Sequence, residues 1–172
     1  MSLQISTYGS SVLRQKSEPV KDITPELVEL AHNMLETMYK ANGIGLAAPQ
    51  VGKNIRLVVI DLSKEEEERT PIILFNPEVF PEEGENPQES EEEGCLSVPD
   101  IWANVSRPSK VHLTYTNEEG NIVDMRDVTG KLARCAQHEL DHLNGILFVD
   151  KISISDKAIN ASKLRRMAKG KK

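Results

Sequence analysis

Apolar residues recur at helical spacing in one N-terminal segment. After Thr24 and Pro25, apolar side chains follow at intervals of three and four residues as far as Met38. Thr is a frequent helix N-cap, and Pro is favoured in the first helical turn. Asn42 and Gly43 interrupt the pattern. The sequence therefore predicts a helix that begins after Thr24 and ends before Asn42.

The middle of the chain has the pattern of strands. Residues 56–61 and 72–76 are rich in Val, Ile and Leu between polar or Pro-containing loops, which predicts two buried strands. Residues 110–116 and 121–128 alternate apolar and polar positions around a short polar turn, which predicts a β-hairpin. Strands joined mainly by hairpins favour an α+β fold with antiparallel sheets over a doubly wound parallel sheet.

Two more helices are predicted toward the C-terminus. The first covers about residues 130–144, with Thr129 as its candidate cap and Gly145 at the position where helices often end. The second begins with Ser155-Asp156 as candidate cap and runs toward Lys169, with a thinner apolar pattern. The chain is thus expected to end in a C-terminal helix.

Length and composition limit the number of domains and the environment. The chain has 172 residues, of which 38% are hydrophobic. We therefore expect residues 1–172 to form a single catalytic domain with a hydrophobic core. The apolar runs are too short to span a membrane. The first ten residues lack the features of a signal or transit peptide, so we expect a cytoplasmic, unprocessed protein.

The net charge of −6 is unevenly distributed. Residues 163–172, the basic C-terminal tail, carry six cations and no anion, which leaves −12 on residues 1–162. The acidic excess lies mainly in residues 65–68 and 82–93, which we interpret as exposed loops. An acidic body argues against sequence-specific binding of nucleic acid, whereas the tail suits an anionic partner.

Two histidines four residues apart mark the helix predicted near residue 138. The segment reads His138-Glu139-Leu140-Asp141-His142, and residues at i and i+4 share a helix face, so both imidazoles can reach one ion. A catalytic metal site usually has three protein ligands and one open position. The third histidine of metzincin proteases is replaced here by Phe148, and the downstream glutamate of thermolysin-like proteases is absent after Glu139.

Several residues are candidates for the third ligand. Four carry suitable donor atoms without any local pattern that distinguishes them: His32, His112, Asp150 and Asp156. Cys135 shares the helix face of the histidines, but an ion between them would lie roughly 7 to 8 Å from it along the axis, beyond a thiol's reach. We interpret Cys135 as a core residue. Cys95 lies in a segment opened by Gly94 and closed by Pro99, and it is the ligand that we favour.

A segment rich in small residues follows the first predicted helix. Residues 43–52 contain three glycines and three small apolar residues, and the simplest interpretation is a flexible connection. Glycines also allow the backbone to approach a ligand closely. Within this segment, the amide of Gln50 is a neutral donor of the kind that stabilises an oxyanion.

Three segments, in chain order, closely resemble the three motifs of peptide deformylases. They are Gly43–Gln50 (GIGLAAPQ), Glu93–Ser97 (EGCLS) and Gln137–His142 (QHELDH). The resemblance extends from about residue 9 to Asp150, and the combination of three motifs at compatible spacing is highly specific. It implies antiparallel sheets packed around a central metal-binding helix.

The resemblance also implies an activity and a cofactor. The enzyme would be a metal-dependent hydrolase that removes the formyl group from the N-terminal formyl-methionine of newly synthesised polypeptides. The implied cofactor is Fe²⁺, for which Zn²⁺, Ni²⁺ or Co²⁺ substitute, and the implied ligands are Cys95, His138 and His142. Metal-activated water would attack the formyl carbon, with Glu139 as general base and acid. Gln50 and the Leu96 backbone N–H would stabilise the developing oxyanion.

Substrate and partner contacts follow from the same resemblance. Members of the family bind peptides in an extended form, which implies backbone contacts at Ile44, Gly45 and Gly94. Cys135 and His138 would form part of the wall of the methionine pocket. The implied partners are N-formylmethionyl nascent peptides. We expect no binding to a membrane. A C-terminal helix docks on the ribosome in some members, so the basic tail is a candidate ribosome contact.

Two positions depart from the family pattern, and two other functions compete. Lys131 stands where relatives usually carry an apolar or aromatic residue, and Trp102 where many have arginine. Both departures concern side-chain preference and not the chemistry. The competing functions are a zinc endopeptidase of the His-Glu-x-x-His type and a structural metal site in an interaction module.

Overall fold

The computed structural model describes residues 1–170; the last two tail cations, Lys171 and Lys172, lie outside the described residues. The helices are α1 (Pro25–Lys40), α2 (Gly130–Leu143) and α3 (Ile154–Lys169). The strands are β1 (Gly45–Ala47), β2 (Leu57–Ile60), β3 (Ile72–Pro81), β4 (Gln88–Cys95), β5 (Val98–Pro108), β6 (Val111–Thr116) and β7 (Ile122–Val128). Within residues 1–170, no helix has the length and apolar character needed to cross a membrane.

Two antiparallel sheets form the β-structure. Five strands pair in the order β1-β2-β3-β6-β7, and β4 and β5 form a separate two-stranded ribbon. Every pair of neighbouring strands is antiparallel. The predicted α+β class with antiparallel sheets is confirmed, and so is the hairpin that forms β6 and β7. This order leaves β1 at one edge of the large sheet and β4 with a single partner.

The large sheet is covered by α1 on one face and by α2 on the other. In β2, Leu57 and Val59 pack in the core cluster of α1, whereas Val58 and Ile60 pack in that of α2. Because successive strand residues point to opposite faces, a strand buried on both sides is a continuous apolar run. All four residues of β2 are buried.

The ribbon contacts α2 through buried ion pairs: Arg107 of β5 binds Asp141 of α2, and Arg134 of α2 binds Glu93 of β4. Alternate residues of β5, among them Ile101 and Val105, pack with Phe148 from the turn that follows α2. Leu164 and Met167 of α3 pack against this cluster. The helix that bears the two histidines is therefore central, as predicted.

The helix boundaries agree with the sequence except at α3. Thr24 caps α1, because its hydroxyl accepts a hydrogen bond from the Leu27 N–H at 3.3 Å. The predicted cap of α3 was wrong by two residues: Ser153 is the cap, and its hydroxyl accepts from the Asp156 N–H at 3.0 Å. Ser155 lies within the helix.

The interpretation of residues 82–93 as an exposed loop was wrong, because Gln88–Glu93 belong to β4. The first five residues of β4 are polar and exposed, so the strand has no apolar alternation, and its backbone pairs with β5. The segment after α1 is also no flexible connection. It forms β1 and a 3₁₀ turn, Ala48–Val51, in which every residue is buried.

Candidate active site

Cys95, His138 and His142 form a group that can hold a metal ion. One donor atom from each lies within 4.8 Å of the other two, and Cys95 Sγ is 3.3 Å from His142 Nε2. Zinc–sulfur and zinc–nitrogen bonds are about 2.0–2.3 Å long, so one ion can bridge donors at this spacing. Cys95 comes from the end of β4, and the two imidazoles project from α2.

The other ligand candidates lie elsewhere with partners of their own. His32 faces Glu118 at 3.0 Å, and His112 faces Asp124 at 2.7 Å. Asp150 binds Arg14, and Asp156 lies at the cap of α3. Cys135 is buried and is not part of the three-residue group.

The donor set fits a catalytic divalent ion. A thiolate and two imidazoles are ligands suited to zinc or ferrous iron, and three protein ligands leave one coordination position open. His142 is fully enclosed, and its Nδ1 has no hydrogen-bond partner among the described residues. Burial lowers the pKa of His142, which keeps the imidazole neutral, as a ligand must be.

His138 is oriented by a buried carboxylate. Its Nδ1 lies 2.9 Å from Oε1 of Glu93, which leaves Nε2 as the nitrogen available to an ion. Hydrogen bonds of this kind fix the tautomer and the ring orientation of metal-binding histidines. Glu93 precedes Cys95 by two residues, so the same strand supplies a thiol and the support of an imidazole.

Glu93 is held in turn by two arginines. Arg107 donates to its carboxylate from Nε at 2.7 Å and from Nη2 at 3.0 Å, and Arg134 donates from Nη1 at 2.6 Å. Burial by itself raises the pKa of Glu93, but the hydrogen bonds from His138 and Arg107 outweigh it and lower that pKa strongly. The carboxylate is therefore ionised.

Sequence reasoning did not assign a role to Glu93, Arg107 or Arg134. A signal for Arg107 was present, because Ile101, Ala103 and Val105 alternate and the next inward position is 107. An arginine on the buried face of a strand requires partners, and Glu93 and Asp141 provide them. No such pattern pointed to Arg134.

Glu139 is a buried carboxylate beside the metal-binding group. Its side chain faces Gly45, where a Cβ atom would lie 2.7 Å from Oε1, so any larger residue there would displace the Glu139 carboxylate or the Cys135 thiol. Oε2 has no hydrogen-bond partner within residues 1–170. Burial is the main cause that raises the pKa of Glu139 to about 7.

Gln50 presents its amide to the thiol of Cys95. Its Oε1 accepts from the Ala47 N–H at 2.9 Å, and its Nε2 donates to Ser97 Oγ at 3.1 Å. With the carboxamide fixed in this orientation, Nε2 lies 3.6 Å from Cys95 Sγ. Leu96 follows in the turn between β4 and β5 and lies over Gly43.

A cleft of about 520 Å³ opens onto this group. The free edges of β1 and β4 border it, and α2 forms its floor. The predicted substrate-contact residues all line it: Ile44, Gly45, Gly94, Cys135 and His138. Gln50, Leu96 and Glu139 line it too, and so do the two departures from the family pattern, Trp102 and Lys131.

Comparisons with known proteins agree with the motifs. A family model described as polypeptide deformylase matches residues 2–158. Peptide deformylase 2 of Gloeobacter violaceus is 49% identical over 150 residues, which cover 87% of this chain and 79% of the relative. The peptide deformylase of Mesorhizobium japonicum is 45% identical over 160 residues, which cover 93% and 89%.

Solved structures show the same similarity. A Synechococcus elongatus peptide deformylase in complex with actinonin superposes with a TM-score of 0.86 at 44% identity, covering 94% of this chain and 87% of that one. The peptide deformylase of Thermus thermophilus gives 0.89 at 36% identity, covering 99% of both chains. With matching motifs, fold and metal-binding group, this chain belongs to the polypeptide deformylase family.

Proposed function

We propose that this protein hydrolyses the formyl group from the N-terminal formyl-methionine of newly synthesised polypeptides and releases formate. The observation that carries the proposal is the position of Glu139, a buried carboxylate with an unpartnered oxygen beside Cys95, His138 and His142, at the floor of a peptide-sized cleft. Within residues 1–170, Oε2 of Glu139 has no hydrogen-bond partner. A general base needs to reach the reacting atoms without itself being a ligand.

Cys95, His138 and His142 would hold the catalytic ion, which we propose to be Fe²⁺, with Zn²⁺, Ni²⁺ or Co²⁺ as substitutes. When bound, a divalent ion supplies a Lewis acid that lowers the pKa of water and polarises a carbonyl oxygen. Glu93 holds His138 in the required tautomer. Family membership supports metal dependence, and the choice of iron stays a proposal.

Glu139 and Gln50 would share the remaining chemistry. Glu139 accepts a proton from the attacking water and returns it to the departing amine of methionine. Negative charge develops on the formyl oxygen while the water adds to the formyl carbon, before the amine departs. The Gln50 Nε2 and the backbone N–H of Leu96 are the donors that we assign to it, and the amide of Gln50 is already oriented by Ala47 and Ser97.

The peptide would bind in the cleft as an extended strand. Since β1 and β4 each have a free edge there, their backbone groups can pair with an incoming strand at Ile44, Gly45 and Gly94. Cys135 and His138 would form one wall of the methionine pocket. Cys135 Sγ would be 2.8 Å from a Cβ at Gly45, so the two walls meet closely at this point.

The test is formate release from formyl-Met-Ala-Ser by protein purified anaerobically with iron, or loaded with nickel. We predict that Glu139→Gln keeps its metal and loses about 10²- to 10⁴-fold in kcat, because proton transfer is removed and coordination is not. Cys95→Ala is the matched variant and loses metal instead, measured by elemental analysis. Equal metal loss in both variants would contradict the assigned roles.

The zinc endopeptidase alternative is not favoured, because the chain belongs to the deformylase family. Unblocked peptides incubated with the metal-loaded enzyme distinguish the two activities. We expect no internal cleavage by mass spectrometry. Internal cleavage of these peptides, together with no release of formate from formyl-Met-Ala-Ser, would reverse the assignment.

We further propose that the enzyme acts in the cytoplasm, where formylated chains are made, and that its basic tail contacts the ribosome. The exposed cations of α3, Lys163, Arg165, Arg166 and Lys169, support this contact. Deletion of residues 163–172 is expected to abolish salt-sensitive co-sedimentation with ribosomes. Undiminished binding after the deletion would exclude the tail as the contact.

A further inference from the structure

Residues 6–8, which we call the N-terminal strap, connect two parts of the active site. Ser6 and Thr7 belong to no helix or strand, and Tyr8 lies in a turn. The chain before the strap is fixed on α1, because the Leu3 N–H donates to Thr37 Oγ1 at 2.8 Å. At the other end, Tyr8 packs against the hydrophobic cluster of the ribbon. The strap is therefore held at both ends by contacts away from the cleft.

Two backbone hydrogen bonds join the strap to residues of the site. The Ser6 N–H donates to the carbonyl of Gln50 at 2.7 Å, and the Tyr8 N–H donates to the carbonyl of Ser97 at 2.8 Å. Both acceptor residues are buried, with 1% and 0% of their surface exposed. A buried carbonyl left without a donor costs free energy, so both bonds fix the backbone where they are made.

The turn that follows the strap is closely packed. The Ser10 N–H donates to the carbonyl of Thr7 at 3.0 Å. Gly9, between them, has a φ of +99°, and a Cβ atom there would lie 2.7 Å from Cα of Ala168 in α3. A larger residue at this position would have to displace α3. The chain therefore has little freedom to move where it leaves the strap.

Gln50 and Ser97 are also joined to each other through their side chains. Gln50 Nε2 donates to Ser97 Oγ at 3.1 Å and lies 3.6 Å from Cys95 Sγ. The strap thus completes a closed ring of contacts, from its own backbone to Gln50, across the amide to Ser97, and back to the strap. A displacement of the strap would move the Gln50 amide relative to Cys95.

We propose that the strap is a positioning element that holds the Gln50 amide where it can donate to the oxyanion. This rests on the proposed function, because it concerns the same oxyanion. Such a donor acts when it lies about 2.7–3.1 Å from the place that the oxyanion occupies, so a small displacement removes most of its effect. The strap residues do not line the cleft, so they act through Gln50 and not by contact with the peptide.

Ser6→Pro tests the proposal, because proline has no N–H to donate to the Gln50 carbonyl. We expect kcat for formyl-Met-Ala-Ser to fall about 10- to 100-fold, with KM and nickel content unchanged. Thr7→Gly is the milder variant, because it loosens the strap without removing either donor, and it is expected to show a smaller loss of the same kind. Gln4→Pro is the matched control. Gln4 is exposed, precedes the strap and makes neither bond, so this variant is expected to retain the wild-type kcat.

A double-mutant cycle shows whether the strap acts through Gln50. Gln50→Ala alone is expected to lose about 10²- to 10³-fold in kcat, as removal of one oxyanion donor does. In the Gln50→Ala background, Ser6→Pro then causes little further loss, because the group that it displaces is already absent. If the two losses multiply in the double variant, the inference is wrong, since the strap would then only support the fold.

A second measurement does not depend on turnover. In isotope-labelled, zinc-loaded protein, we expect the NMR signals of the Gln50 side-chain amide to shift in Ser6→Pro and to stay in place in Gln4→Pro. Unchanged Gln50 signals in Ser6→Pro would overturn the inference even if kcat falls. If wild-type protein releases no formate, the proposed function fails, and the NMR comparison still decides whether the strap positions Gln50.

Discussion

Glu93 concentrates more interactions than any residue predicted for the site. Its carboxylate meets Arg107, Arg134 and His138, and only 5% of the side chain is exposed. A buried charge is stable only when it is paired and hydrogen-bonded, and each of its partners depends on it in turn. The orientation of one proposed ligand thus depends on a salt bridge to β5.

We predict that Glu93→Gln weakens both folding and metal binding. Loss of one partner leaves Arg107 with Asp141 alone, and removal of one member of a buried pair costs about 3–5 kcal/mol of unfolding free energy. Zinc affinity is expected to fall about 10- to 100-fold, because His138 loses its support. Urea unfolding of metal-free protein and zinc titration against a competing chelator measure the two effects.

Glu91→Gln is the matched control on the same strand. Glu91 pairs with Arg134 at the surface, where its side chain is 58% exposed, and such pairs contribute about 0–1 kcal/mol. Equal losses of stability and zinc affinity in the two variants would show that these effects do not depend on the burial of Glu93.

Among the elements, helix boundaries follow local rules where the cap is explicit in the sequence. Thr24-Pro25 predicted the start of α1, and the Thr24 hydroxyl makes the cap bond. At α3 two serines and an aspartate lie within four residues, so several caps satisfy the same rule. Ser153 is the cap because Asp156 stands three residues after it: the Ser153 hydroxyl accepts from the Asp156 N–H and donates to the Asp156 carboxylate.

We predict that Ser153→Ala lowers the stability of α3, whereas Ser155→Ala does not. The first change removes the acceptor of the Asp156 N–H and costs about 0.5–2 kcal/mol. Ser155 is exposed inside the helix, so its replacement is expected to stay within about 0.5 kcal/mol. Hydrogen exchange of the Asp156 amide is the measurement. Faster exchange in Ser155→Ala than in Ser153→Ala would refute the assignment.

In the molecule as a whole, the N-terminal segment is fastened to the end of α2. Gly145 has a φ of +74°, and a Cβ there would lie 2.6 Å from the backbone oxygen of Arg14. The Ser17 N–H also donates to the carbonyl of Leu143 at 2.8 Å. These contacts join two parts of the chain that are far apart in sequence. They hold the N-terminal segment against the C-terminal end of α2.

We predict that Gly145→Ala destabilises the protein more than Gly52→Ala. Both glycines have left-handed backbone angles, so each change costs roughly 1–2 kcal/mol of strain. At Gly52 the added methyl meets nothing within 4 Å, whereas at Gly145 it meets the Arg14 backbone, at a further cost of about 1–3 kcal/mol. Urea unfolding compares the two, and similar losses would contradict the close packing at Arg14.

The charge distribution is also a property of the entire chain. The body of residues 1–162 has a net charge of −12, and the basic tail begins inside α3. Leu164 and Met167 pack inward, while the cations around them remain exposed. Cations near a helix C-terminus stabilise the helix through its dipole. The tail cations are therefore expected to stabilise α3 whether or not a partner is bound.

Features that depend on local spacing could be predicted from the sequence alone. Three helices, the buried strands β2 and β3, and the hairpin of β6 and β7 follow from periodicity and turn residues, which need no distant contact. The pair His138 and His142 follows from the helical repeat. Cys95 was favoured over the other candidate ligands because of its glycine-opened segment.

Features that depend on distant partners emerged only when the elements packed together. The strand β4 has no apolar alternation, because its backbone is stabilised by β5 and its carboxylates face solvent and arginines. Local patterns also gave no reason to join Glu93 to Arg107 and His138, or to lay Trp102 over Gly94. Such contacts join separate elements. They cannot be predicted from the spacing of residues along one element, because that spacing depends only on local backbone geometry.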